Sequence, residues 1–241
     1  MGRLVSDLIA RTEGFEVVAR LDSHSELSEM LRAQIAVDLT RPDVSRNVVD
    51  FATEHGLQVL VGTSGWTQEG IDSLARRLAG REDTGVIIIP NFSIGSVLAT
   101  AFAALAARFY DSIEIVEAHQ PSKVDSPSGT AVRTAELIGR ARAELGPVSA
   151  PHTDQRARGQ QVASVPVHSL RLSGLLARQD VLLGGTGETL TISHNTLSPS
   201  AYESGILLAL DAARTARGVS VGLDQIVDLG FTTAASEGAS K

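Results

Sequence analysis

The chain has 241 residues, 43% of them hydrophobic, which is enough to bury a core as one large domain or two smaller ones. A formal charge of -7, with neither basic runs nor aromatic platforms, argues against nucleic acid and anionic membrane surfaces as partners. The absence of cysteine rules out disulfides, thiolate metal sites and thiol nucleophiles.

Leu4, Val5, Leu8 and Ile9 make a helical apolar face directly after Met1-Gly2-Arg3, and Glu13-Gly14 ends it. Val17, Val18 and Leu21 then read as a strand ending in Asp22. A dinucleotide-binding unit is a strand, a Gly-rich turn, a helix and a second strand whose terminal acid holds a ribose about 20 residues past the glycines. Gly2 and Asp22 have that separation, so both are candidate cofactor residues. The first strand and the other glycines are then expected upstream, with Met1 an internal methionine about a dozen residues into the working protein. A short form that binds no cofactor is the alternative.

Ala36 to Leu39 is a short strand, and Thr40-Arg41-Pro42-Asp43 starts a helix running to His55. The strand Val59 to Val61 ends in Gly62-Thr63-Ser64-Gly65, a helix runs from Thr67 to about Ala79, and the strand Val86 to Ile89 closes on Pro90-Asn91-Phe92-Ser93. Such turns sit at the ends of parallel strands, where open α/β sheets bind ligands. The longest apolar helix, Ile94 to Tyr110, is Ala-rich and interrupted by Arg108, which does not suit a membrane span. No secretory signal is seen ahead of it, so a cytoplasmic protein is expected.

The next strand, Ile113, Ile115 and Glu117, leads through a polar loop into a helix with Ala131, Ala135, Ile138, Ala141 and Leu145 on one face. The loop carries His119, Gln120, Lys123 and the helix start Ser128-Gly129-Thr130. First-turn N–H groups of a helix lack internal partners, and small residues let an anion approach them, so this is a carboxylate or phosphate seat. Of the 21 basic side chains only Lys123 and Lys241 are lysines. In a chain that otherwise uses arginine, a loop lysine marks a place where a compact ammonium able to release a proton is useful.

Residues 147–161 are rich in Pro, Ala, Gln and Gly and include Arg156 and Arg158-Gly159. Three alternating runs, Val167 to Leu172, Asp180 to Gly184 and Thr189 to His194, read as an antiparallel sheet. Tyr202, Ile206, Leu207, Leu210 and Ala213 return to helical spacing, and the tail from Thr232 is expected to be disordered. His152, His168 and His194 have no ligand spacing with one another or with carboxylates, so no metal site is expected.

The stretch from Glu117 to Ala131 resembles the signature E-x-H-H-x-x-K-x-D-A-P-S-G-T-A of the 4-hydroxy-tetrahydrodipicolinate reductases, also called dihydrodipicolinate reductases. Gln120 replaces the second His and Ser126 the Ala. Met1-Gly2-Arg3 is similar to the end of the family's G-x-x-G-R-M-G-R turn, residues 37–42 to V-D-F-T-x-P, residues 62–65 to G-T-T-G and residues 90–93 to P-N-F-S.

The resemblance implies an α/β protein with a Rossmann-like dinucleotide-binding domain, here short at its start. That domain would span residues 1–93 and 203–241. Residues 94–202 would form an α+β substrate and tetramerisation domain with a mainly antiparallel sheet. It further implies a homotetramer that reduces a cyclic imine bearing two carboxylates, using a reduced nicotinamide, in lysine and diaminopimelate biosynthesis. His119 and Lys123 would supply the proton and positive charge, and Gln120, Lys123, Ser128, Gly129 and Thr130 would hold the dicarboxylate. Gly2, Asp22, Gly62, Thr63, Ser64, Pro90, Asn91 and Phe92 would hold the cofactor, and Arg158 would lie near substrate. Asp22 accepts ribose hydroxyls and repels an extra phosphate, which leans toward NADH over NADPH. Two other readings stay open: a reductase of another small carboxylic acid on the same architecture, or a degenerate relative that only binds.

Overall fold

The computed structural model describes residues 1–227; the expectation of disorder from Thr232 lies outside the described residues. The first half is a sheet of four parallel strands in the order β1-β2-β3-β9: β1 Ile35–Asp38, β2 Gln58–Val61, β3 Gly85–Ile88 and β9 Gly218–Val221. Every residue of β3 is buried, as a parallel strand covered on both faces requires. On one face, Val59, Val61, Val86 and Ile88 pack against α2 (Pro42–Glu54) and α3 (Gln68–Leu78) through Val48, Val49, Ala52, Leu74 and Leu78. On the other, Leu60, Ile87 and Ile89 meet Val5 and Leu8 of α1 (Gly2–Ala10) and Ile206 and Leu210 of α6 (Glu203–Ala213).

The second half is a five-stranded sheet, β5-β6-β4-β7-β8. Its strands are β4 Ser112–His119, β5 Gln160–Val162, β6 Val165–Arg171, β7 Ala177–Gly185 and β8 Glu188–Thr196. Three of its four pairings are antiparallel and the fourth, the central strand β4 with β6, is parallel. Ile113, Ile115, Val167, Val181 and Leu183 of this sheet pack against α4 (Ile94–Ala106) and α5 (Gly129–Ala141), whose facing residues Ala103, Ala131 and Ala135 allow a close approach.

The structure corrects several sequence expectations. Val17 to Leu21 forms no strand, because among the described residues no strand pairs with it and an extended segment needs a ladder partner to become one. The strands β5 and β9 were not expected; both are short, and β9 is held by β3, more than a hundred residues earlier in the chain. The helix α5 ends at Ala141, short of Leu145. Its next residue, Arg142, turns its side chain inward and donates from Nη1 to Ala107 O at 2.7 Å and Tyr110 O at 2.5 Å, which satisfies carbonyls at the end of α4.

Two close approaches join the first sheet to the turn after β3. A Cβ on Gly62 would lie 2.8 Å from Phe92 Cε2, and one on Gly205 would lie 1.9 Å from Phe92 O. Only glycine lets the β2 turn and α6 come this near to residues 90–93.

Candidate active site

Along β4 successive side chains alternate between the two faces, so Ile113, Ile115, Glu117 and His119 all point to the side covered by α4 and α5. The first two are core. The third, Glu117, continues the apolar phase with a carboxylate that is fully buried. An isolated buried carboxylate costs several kcal/mol, so its partners decide whether the strand can end this way.

Those partners converge on it from three elements. His119 Nδ1 donates to Glu117 Oε2 at 2.5 Å. Arg171, at the end of β6, donates from Nη1 to Oε2 at 3.1 Å and from Nη2 to Oε1 at 3.0 Å, a two-pronged pair. The backbone N–H of Ser128 donates to Oε1 at 3.2 Å. Burial alone pushes the Glu117 carboxyl up, but the hydrogen bonds from His119, Arg171 and Ser169 outweigh it and hold the group down at about 2.

This sets a pH window. A carboxyl whose folded value lies below its unfolded one adds stability above the unfolded value and loses it as pH falls through the folded one. The difference between an ordinary Glu and Glu117 at about 2 corresponds to about 3 kcal/mol. Urea unfolding at stepped pH is expected to show that much stability draining away between about pH 5 and pH 2. In Glu117→Gln this component should vanish; a slope unchanged by the substitution would remove Glu117 as its source.

The loop after His119 is tied to the same arginine. Arg171 Nη2 donates to Asp125 O at 2.6 Å and Nε to Lys123 O at 3.3 Å. Lys123 Nζ lies 2.7 and 2.9 Å from the two carboxylate oxygens of Asp125, an acid absent from the candidates named from sequence. Burial pushes Asp125 up, and the Lys123 ammonium more than offsets it, leaving it low. At the end of the loop Ser128 caps α5, its hydroxyl accepting from Ala131 N at 3.2 Å. No acid occupies the first turn of this helix, so its free N–H groups and Thr130 face the loop without a competing carboxylate of their own.

The turn after β3 meets this seat. Asn91 Nδ2 donates to Thr130 Oγ1 at 3.2 Å and Ser96 Oγ at 3.0 Å, while Asn91 Oδ1 accepts from Ser93 N at 2.9 Å. The turn after β3 therefore touches the start of α5, where candidate residues of both halves meet.

A match to the family model for the N-terminus of dihydrodipicolinate reductase covers residues 1–92, and the one for its C-terminus covers residues 95–227. The chain belongs to the dihydrodipicolinate reductase family. A 4-hydroxy-tetrahydrodipicolinate reductase of Clavibacter michiganensis subsp. michiganensis is 68% identical over 95% of this chain and 83% of its own length. The enzyme of that name from Streptomyces griseus subsp. griseus is 47% identical over 95% of each chain. Among solved structures, a dipicolinate-bound dihydrodipicolinate reductase from Paenisporosarcina sp. TG-14 superimposes with a TM-score of 0.76 at 27% identity, covering 94% of this chain and 95% of that one.

As a member of this reductase family, the chain has residues that fit a nicotinamide dinucleotide. The helix α1 starts at Gly2 with no side-chain cap and no acid in its first turn, and nothing lies within 4 Å of where a Gly2 Cβ would stand, which suits a pyrophosphate. Gly62 and Phe92 are brought together, and Pro90 and Asn91 stand at the same strand end. Thr63 is buried and donates to Asp38 O at 3.4 Å, whereas Ser64 is exposed. Among the described residues Asp22 is tied only to its own loop, its Oδ1 accepting from His24 N at 2.8 Å. Gln120 is exposed beyond the end of β4.

The structure does not bring Arg158 to His119. Arg158 pairs with Glu114, which also accepts from His168 Nε2 at 2.7 Å, and Glu114 lies on the face of β4 opposite to His119. Burial raises Glu114, and Arg158 and His168 together bring it down. His194 shares a 3.2 Å hydrogen bond with Ser93 Oγ, and burial lowers its basicity. Among the described residues no group of three His, Cys, Asp or Glu is placed to hold a metal ion, and no helix is long and apolar enough to cross a membrane.

The residues that sequence reasoning missed are Glu117 as a buried charge, Arg171 and Asp125. For Glu117 a signal existed, since an acid in phase with Ile113 and Ile115 has to be paired. Arg171 carried none: it is one of many arginines, 54 residues from Glu117.

Proposed function

We propose that the chain reduces 4-hydroxy-tetrahydrodipicolinate, by way of dihydrodipicolinate, to tetrahydrodipicolinate in lysine and diaminopimelate biosynthesis. The observation that carries this reading is the β4–α5 loop, which carries an imidazole, an ammonium and a helix start whose Gly129 and Thr130 lie beside the turn of residues 90–93. The relatives' names and the dipicolinate bound to the Paenisporosarcina enzyme support a small dicarboxylate as ligand.

In this reading the bound cofactor supplies a hydride to carbon 4 of the imine ring. The protein's own groups do the rest. The first-turn N–H groups at Gly129 and Thr130, with the Thr130 hydroxyl oriented by Asn91, take one carboxylate. Lys123, shared between Asp125 and the ligand, offsets the negative charge that spreads through the reduced system. His119 donates the proton, and its Nε2 has no partner among the described residues. Gln120 can hydrogen-bond a carboxylate but cannot titrate.

The cofactor is read as NADH in preference to NADPH, because Asp22 is exposed with Oδ2 unengaged among the described residues and Ser23 follows it. The domains are read as residues 1–93 with 203–241 for the cofactor and 94–202 for substrate and assembly. Four copies would associate through the second sheet's outer face, where Leu170 is 45% and Leu182 42% exposed.

The test is oxidation of NADH and NADPH in the presence of substrate made fresh by a coupled synthase. Turnover with both cofactors, and a higher kcat/KM for NADH, is expected. Oxidation of neither would replace this reading with that of a relative that binds without catalysing. Turnover only with a different small acid would keep the fold and overturn the substrate.

A further inference from the structure

We propose that Glu117 and Arg171 form a buried positioning pair that commits His119 to donating its proton from Nε2 and holds the Lys123 loop in place. The inference rests on the reading of His119 as the proton donor.

Replacing a buried ion pair by well-packed apolar residues of the same volume is often neutral or stabilising, because desolvating two charges offsets their attraction. Glu117 stands in a row of Ile113 and Ile115, where a third apolar residue would complete the core. Its carboxylate must therefore be explained by what it holds, and it holds parts of the site from three directions.

The first is the imidazole. An ionised carboxylate only accepts, so the proton between Glu117 Oε2 and His119 Nδ1 belongs to Nδ1. With Nδ1–H committed, a protonated His119 can give up only the proton on Nε2, and what remains is the neutral ring with its proton still on Nδ1. The proton passes from Nε2 to the reduced ring of the substrate, and solvent restores it afterwards. A neutral partner in place of Glu117 would let the ring carry its proton on either nitrogen, or turn over.

The second is the anion seat: Ser128, the cap of α5, reaches the same carboxylate through its backbone N–H. The third is the loop. Arg171 reaches past Glu117 to the carbonyls of Lys123 and Asp125, so the two residues that form the ammonium–carboxylate pair are both fixed by their main chain to the arginine that clamps Glu117. Lysine could not replace it, since a single ammonium cannot bridge two carboxylate oxygens and two carbonyls at once.

The experiment is a double-mutant cycle of Glu117→Gln with His119→Ala, read through kcat, KM for both substrates and the 15N spectrum of His119. We expect Glu117→Gln to lower kcat at least tenfold in the otherwise unaltered protein and several-fold less when His119 is already alanine, the remainder being the share carried by the Lys123 loop and the α5 start, with NADH affinity within a factor of two. The spectrum should show the proton on Nδ1 in the parent and a mixture of both nitrogens in Glu117→Gln. An equal loss in both backgrounds, no loss at all, or an unchanged tautomer would each overturn the proposal. If Glu117→Gln does not fold, the pair Glu117→Gln with Arg171→Met removes both charges, and its readout is the His119 tautomer, because Arg171→Met also frees the Lys123 loop and lowers kcat by that route. A His119→Ala protein that turns over at the parent rate would instead refute His119 as the proton donor, a separate result.

Discussion

Replacing His119 by alanine is expected to lower kcat by about a hundred- to ten-thousandfold while leaving the dissociation constant for NADH within a few-fold of the parent. The asymmetry follows from where the imidazole stands. It is at the end of β4, bound to Glu117, on the second sheet, and none of its hydrogen bonds reaches the turns at residues 62–65 or 90–93. Steady-state rates with fluorescence titration of NADH separate the two quantities.

Lys123→Ala should fall in the same range for kcat and should also raise the KM for the dicarboxylate. The ammonium is paired with Asp125 and is the one positive side chain in residues 120–128. Lys123→Arg is not expected to rescue it, because a planar fork cannot occupy the place of a compact ammonium. Near-normal turnover in either alanine variant would end that residue's assignment.

Arg171→Ala should be the most damaging change to stability. It removes both prongs on Glu117 and leaves a fully buried carboxylate with one fewer cation. Breaking a buried pair from one side costs about 3–5 kcal/mol, and for a chain of this size that lowers the thermal midpoint by roughly 6–20 °C. Adding Glu117→Gln to Arg171→Ala should recover part of the loss, since it removes the stranded charge. Thermal scans of the parent, the single and the double variant decide it: a double variant less stable than the single one would mean that the cost lies in packing and not in charge.

How far the fold was legible depends on the length and repetition of each signal. The helices at residues 42–54, 68–78 and 129–141 have several turns of apolar spacing and their own start signals, and they were readable. So were β2 and β3, which end in recognisable Gly and Pro turns. The four-residue β9 and three-residue β5 were not, because a short strand exists only by virtue of its neighbour. Val17 to Leu21 shows the converse, a strand-like stretch without a partner among the described residues. Alternation along Ile113, Ile115 and Glu117 correctly gave a strand but did not say what would meet the acid at its end.

By itself the sequence determined the chemical inventory and its local order: an imidazole, a rare lysine and a small-residue helix start on one loop, and glycine-bearing turns at strand ends. These are short-range facts, set by spacing within a dozen residues. Only the tertiary structure decided which groups face each other. It brought Arg171 from β6 beneath Glu117, turned Arg158 to the far side of β4 against Glu114, and set Asn91, in the turn after β3, against Thr130 of α5. The physical reason is that a buried charge or amide has to find its partner in space, and sheet pairing, not proximity along the chain, chooses which residue arrives.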